Sequence, residues 1–211
     1  MKRTLATAAV AVLAATACGG GDDVDPEADA DAAETAVEAF VGQLEDEGFE
    51  EDAGGDDDSD LEAASAECEE LLAPLTDDEL EGETAKEESG SYTLGSLADD
   101  GSGGELSVGG TVVFAEEEGA VAEVFAAIAD DGFEDCVTEA FEASFEEQEA
   151  GFGVEDVAFD VEELDLGDDA ARFELAASLT GGGLPEPLPF TATAVFARSG
   201  RTGASVSTTA V

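Results

Sequence analysis

Residues 172–179 read Arg-Phe-Glu-Leu-Ala-Ala-Ser-Leu, and residues 189–197 read Pro-Phe-Thr-Ala-Thr-Ala-Val-Phe-Ala. In the first, Phe173, Leu175, Ala177 and Leu179 fall on alternate positions. In the second, Phe190, Ala192, Ala194 and Phe196 do the same. A period of two puts these side chains on one face of an extended strand. Val157, Phe159 and Val161 alternate in the same way just before, and residues 204–211 form a fourth run. Gly181-Gly182-Gly183 with Pro185, Pro187 and Pro189 supplies one connection, and Ser199-Gly200-Arg201 a hairpin turn. The last third therefore reads as an antiparallel meander.

Upstream the period lengthens. Val37, Phe40, Val41 and Leu44 share one face of a helix, with Gly48 suited to its C-terminal cap. Ser59-Asp60-Leu61-Glu62 has the form of a capping box. It opens a second helix whose Leu61, Ala64, Cys68, Leu71, Leu72 and Leu75 face inward and which Pro74 ends. An acidic, Gly-rich stretch reads as a loop through Gly90. Strands are predicted over 91–97 and 105–115, Thr111-Val112-Val113-Phe114 being the most β-like run of the chain. Val121, Val124, Phe125 and Ile128 predict another helix. Residues 133–148 predict a fourth, with Val137, Ala140, Phe141 and Phe145 inward and Cys136 in its first turn. Helices mostly first and a meander last imply an α+β domain, its helices packed on one face of an antiparallel sheet.

The first 17 residues read as an address. Met1-Lys2-Arg3 is a basic start, and residues 4–17 are small or apolar and uncharged. The run is shorter than the ~20 residues that span ~30 Å of hydrocarbon, which points to a secretory signal peptide. The tract Leu13-Ala14-Ala15-Thr16-Ala17-Cys18 resembles a bacterial lipobox. That resemblance implies a lipid on Cys18 and a mature protein anchored on the outer face of the cell membrane. Ordinary cleavage after Ala17, leaving a free thiol, fits the same spacing. Residues 18–31, rich in Gly and Asp, read as a flexible acidic tether reaching up to ~40 Å at ~3.3 Å per residue. Residues 32–211 read as a single extracytoplasmic domain.

The chain of 211 residues carries 55 Asp+Glu against 6 Lys+Arg, a formal net charge of −49. Such a surface cannot neutralise phosphates, so nucleic acid is excluded as a partner. There is no His, which excludes Ser-His-Asp and Cys-His nucleophiles and His-containing metal sites. With 43% of residues hydrophobic, a core can form. Acid spread over nearly the whole chain fits adaptation to high salt, where ~1 M salt shortens the Debye length to ~3 Å. With Cys18 set aside, Cys68 and Cys136 form a natural pair outside the cell, and a disulfide between them would contribute ~4 kcal/mol. Two buried thiols are the alternative.

The strand at 111–114 leading into a helix with Phe125, the Phe133-x-x-Cys136 step and the Arg198-Ser199-Gly200 turn give residues 61–211 a layout. It resembles the extracellular sensor-domain family of actinobacterial serine/threonine kinases and related lipoproteins. The resemblance implies a ligand-sensing or binding domain and no catalysis. This chain has cysteines for one of that family's two usual disulfides, and Phe133 where Trp is common.

The chemistry-bearing motifs are few. Asp56, Asp58 and Asp60 have calcium-loop spacing with Glu67 at the twelfth position, but Leu61 stands where the loop requires Gly. The same residues serve the capping box. No metal or cofactor is expected. Lys86 sits among Glu83, Glu87 and Glu88 and suits a surface ion pair better than Ser-Lys catalysis. After Glu186 there is no acid, yet Arg198 and Arg201 occur. Those last two strands are either central and buried, or a ligand face built from Phe190, Phe196, Arg198 and Arg201. The leading expectation is a lipid-anchored binding or sensor-like domain. A lipid or small-molecule carrier, with a cavity lined by Phe125, Phe141, Phe159 and Phe173, is the alternative. A carboxylate-based hydrolase is the third.

Overall fold

The four runs of period-two alternation pair in sequence order. In a computed structural model describing residues 24–52, 65–76, 80–94, 105–130, 132–146, 152–181 and 186–211, they are β5 (Phe152–Glu163), β6 (Asp169–Gly181), β7 (Leu188–Ser199) and β8 (Thr202–Ala210). Ahead of them lie α1 (Pro26–Asp46), β1 (Glu50–Glu51), α2 (Ala66–Thr76), β2 (Glu83–Glu88), β3 (Tyr92–Leu94), β4 (Leu106–Ala115), α3 (Glu118–Ile128) and α4 (Phe133–Glu146). All pairings are antiparallel, in the order β1-β3-β4-β8-β7-β6-β5, with β2 also on β4. The chain thus leaves β4, crosses to the far edge through α3 and α4, and returns as the meander until β8 lies beside β4. The fold is α+β.

The acid-free end occupies the middle of the sheet. β7 pairs with β6 and β8, and β8 pairs with β7 and β4. Val195 and Val206 are fully buried opposite each other. A carboxylate at Val195, Ala197, Ala204 or Val206 would be stripped of water, which disfavours acid in this part of the two strands.

Helices cover both faces of the sheet. On one face α1 lays Ala33, Ala36, Val37, Phe40 and Leu44 against Val108, Val112, Phe114, Val195, Ala197 and Val206. The opposite face, offset by one residue along each strand, carries Ala171, Phe173, Leu175, Ala194 and Phe196 under α2, α3 and α4. The expectation of helices on one face holds for those three. α1 departs from it because 194–197 is apolar at every position, a strand buried on both sides, whose second face alternation conceals. Gly110 allows Phe40 to seat: a Cβ there would lie 2.7 Å from the ring. Gly48 ends α1 as predicted, at φ +89°, with the Phe49 N–H donating to Leu44 O and the Gly48 N–H to Glu45 O.

Four further expectations need correction. Residues 26–31, read as tether, are the first turns of α1. Asp25 caps them through the N–H groups of Glu27 and Ala28, Pro26 takes the first helical position, and Asp29 is buried. Residues 83–88, read as loop, are β2. They lie along the edge of β4 where charged side chains are tolerated, so no apolar alternation marks them. Pro74 lies inside α2, which runs on to Thr76. In β5 a bulge between Glu155 and Ala158, with Asp156 at φ +55°, resets the alternation, bringing Val154 into one cluster with Val157 and Phe159 while Val161 is exposed. The capping box and Leu61 fall outside the described residues, as do the signal peptide, Cys18 and residues 19–23 of the expected tether.

Candidate functional site

The four residues expected on a ligand face are dispersed and engaged. Phe190 packs at a tilt on Phe141 with ring centroids 5.5 Å apart. Phe196 meets Phe173 edge-on at 5.3 Å, and Phe173 in turn packs on Phe133 and Phe159. Phe141, Phe159 and Phe173, expected in a carrier cavity, are therefore core. Arg198 pairs with Asp169, its Nε donating at 2.9 Å.

Arg201 makes the deepest polar contact. Its guanidinium donates through both terminal nitrogens to Asp29, at 2.7 and 2.6 Å, and to Ala115 O at 3.1 Å. The Thr84 hydroxyl donates to the same carboxylate at 2.7 Å, and the guanidinium lies over the Phe114 ring. The side chains are 11% and 3% exposed. Hydrogen bonds from Arg201 hold the Asp29 carboxyl below the usual range, outweighing the cost of burial, with Thr84 assisting. The same bond raises Arg201. This cluster clasps the first turn of α1 to β2 and to the β7–β8 turn. Sequence reading missed Asp29, although Asp25-Pro26-Glu27 is a helix-start signal placed ahead of it.

Cys68 of α2 and Cys136 of α4 are joined by a disulfide with Cα atoms 5.1 Å apart. It staples two of the three helices on that face. Glu67 is exposed, and Asp56, Asp58 and Asp60 lie outside the described residues. Among the described residues, no group of three or more Cys, Asp or Glu is placed to hold a metal ion. No described helix is long and apolar enough to cross a membrane.

On the face shared by α2, α3 and α4, a cleft of about 240 Å³ opens between α3, the end of α2 and strands β2, β4, β7 and β8. Its walls are Leu75, Val121, Val124 and Phe125, and its floor Val113, Phe196 and Thr111. The reason lies in the strands beneath. Here β4 and β8 present Thr111, Val113, Gly203 and Ser205, short side chains that leave room under the helix layer. Gly203 lets α3 approach, since a Cβ there would stand 3.0 Å from Val113 and 3.1 Å from Val121. Of the residues expected on a ligand face or in a carrier cavity, Phe125 and Phe196 come together here.

β2 forms the rim with Glu83, Lys86 and Glu88. Lys86 pairs with Glu88 at 2.9 Å, the surface ion pair its surroundings predict. The Leu80 N–H donates to Glu83 at 3.3 Å. At ~3.3 Å per residue the two glutamates are anchored roughly 16 Å apart along the strand, whereas glycoside hydrolysis uses carboxyls ~5–9.5 Å apart. Each is drawn to a different partner, so this pair lends no support to a carboxylate hydrolase. No protein-family model, curated protein or solved structure matches this chain.

Proposed function

We propose that this chain is a lipid-anchored extracytoplasmic binding or sensor-like domain without catalytic activity. In this reading it holds a small, largely apolar molecule in the cleft under α3, on a surface adapted to high salt. The observation that carries the reading is the cleft itself. A sheet face otherwise filled by a cluster of phenylalanines is left open where Val113, Val121, Val124, Phe125 and Phe196 converge. Apolar walls with a few polar groups at the mouth are the usual make-up of a small-molecule site. The lipobox-like tract before Cys18 supports the anchor, and the resemblance to kinase sensor domains agrees with ligand binding.

The test is native mass spectrometry of the Cys18→Ser chain, signal peptide retained, secreted by its own host and purified at high salt. The expected result is one reproducible extra mass that extracts into organic solvent and is missing from a Val124→Trp variant. Bare polypeptide in both proteins, or extra mass unaffected by Val124→Trp, would overturn it.

A further inference from the structure

The rim of the cleft selects for charge, and on the reading that the cleft is a ligand site, we infer that its ligand is an amphipathic cation: an amine or quaternary ammonium on an apolar body. Apart from Lys2 and Arg3 the chain has four basic side chains, and each is held by a carboxylate. Lys86 is on Glu88, Arg172 on Glu162, Arg198 on Asp169 and Arg201 on Asp29. An anionic head group reaching the cleft would have to take Lys86 from Glu88. It would do so in the field of a chain whose net charge is −49.

A cation meets the reverse situation. Lys86 is paired with Glu88, and among the described residues of the rim Glu83 is the further carboxylate. Behind it, the half-buried Phe125 and Phe196 line the cleft, and aromatic rings attract a cation or pack its alkyl body. At high salt the long-range field is screened, but contact between the head group and the rim persists, so discrimination rests on β2. The cleft and the rim thus divide the work: the apolar walls hold any chain of suitable size, and the rim decides the sign of its head.

The test is isothermal titration calorimetry of the Cys18→Ser mature chain at high salt. Three probes share a decyl chain and are kept below their micelle-forming concentrations: decyltrimethylammonium, decyl sulfate and decyl maltoside. The expected order is cation, then uncharged, then anion, with about tenfold between the first and last. Lys86→Gln should tighten decyltrimethylammonium about threefold and Glu83→Gln should weaken it about as much. Both substitutions lie on the rim and leave the core untouched. Val124→Trp should abolish the one-to-one binding. Equal binding of cation and uncharged probe, or tighter binding of the anion, would overturn the cationic class and leave the cleft as a site. No binding by any probe would overturn the cleft reading as well. Many weak sites that ignore Val124→Trp would mean plain ion exchange on the acidic surface and would also overturn the inference.

Discussion

Removing the carboxylate of Asp29 tests how the start of α1 is held. Asp29→Ala leaves the Arg201 guanidinium among Phe114, Ala115 and Thr84 with Ala115 O as its remaining acceptor within the cluster. Breaking one side of a buried pair costs about 3–5 kcal/mol, because a charge is stranded away from water. That is a large share of the ~5–15 kcal/mol that stabilises a typical domain. Replacing both partners by Leu should cost much less than the sum of the single changes, since no charge is then stranded. With no Trp and one Tyr, the assay is urea unfolding followed by far-ultraviolet circular dichroism at high salt. The pH dependence has a definite sign. The Asp29 carboxyl is lowered in the folded state, so its contribution is full above the unfolded value of ~3.9 and is lost as pH falls through the lowered folded value. The stability gap between the wild type and Asp29→Asn should therefore be level from pH ~5 to ~8 and shrink below pH ~4. A cost under ~1 kcal/mol for Asp29→Ala, as for an exposed ion pair, would refute the reasoning.

The remaining predictions concern packing, cross-linking, salt and anchoring. Gly110→Ala should destabilise by about 1–3 kcal/mol, because the new methyl meets the fully buried Phe40 ring; a melting temperature equal to wild type would contradict the packing of α1 on β4. Thiol labelling of the unfolded, unreduced Cys18→Ser protein should find no reactive thiol, and reduction should cost about 4 kcal/mol through the 68-residue loop; two labelled cysteines would refute the cross-link. Stability should rise as salt is raised from ~0.01 M to ~1 M, as screening relieves the repulsion of the 55 acids; a flat salt dependence would remove the case for adaptation to high salt. The wild-type protein should partition into a detergent phase and Cys18→Ser into the aqueous phase; identical partition would refute lipidation.

Much of the fold was legible because one physical signal dominated each element. Phe173 to Leu179 and Phe190 to Phe196 alternate cleanly, and the heptad-like spacing of Val37, Phe40 and Leu44 leaves little choice but a helix. What escaped did so for identifiable reasons. The start of α1 is marked by capping and by a buried ion pair with a partner 172 residues away, neither of which hydrophobic patterning detects. β2 is held by its neighbour on the sheet edge and not by its own composition, Glu-Thr-Ala-Lys-Glu-Glu. The second face of β7 was hidden because only Val195 and Ala197 mark it, after Thr191 and Thr193 in the earlier gaps of the alternation. The candidate site was half legible. Phe125 and Phe196 were singled out, but a cleft arises from what is missing above Thr111, Gly203 and Ser205, and an absence of bulk leaves no periodic trace.

The central claim, that the cleft under α3 binds a ligand, is tested most directly by methyl-resolved nuclear magnetic resonance with labelled valines. Val113, Val121 and Val124 line the cleft, while Val112, Val195 and Val206 are fully buried beneath α1 on the other face of the same sheet. Titration of the Cys18→Ser mature chain with the three decyl probes should shift the first set with at least one of them and leave the second set in place. Shifts spread over both sets, or none with any probe, would contradict the account.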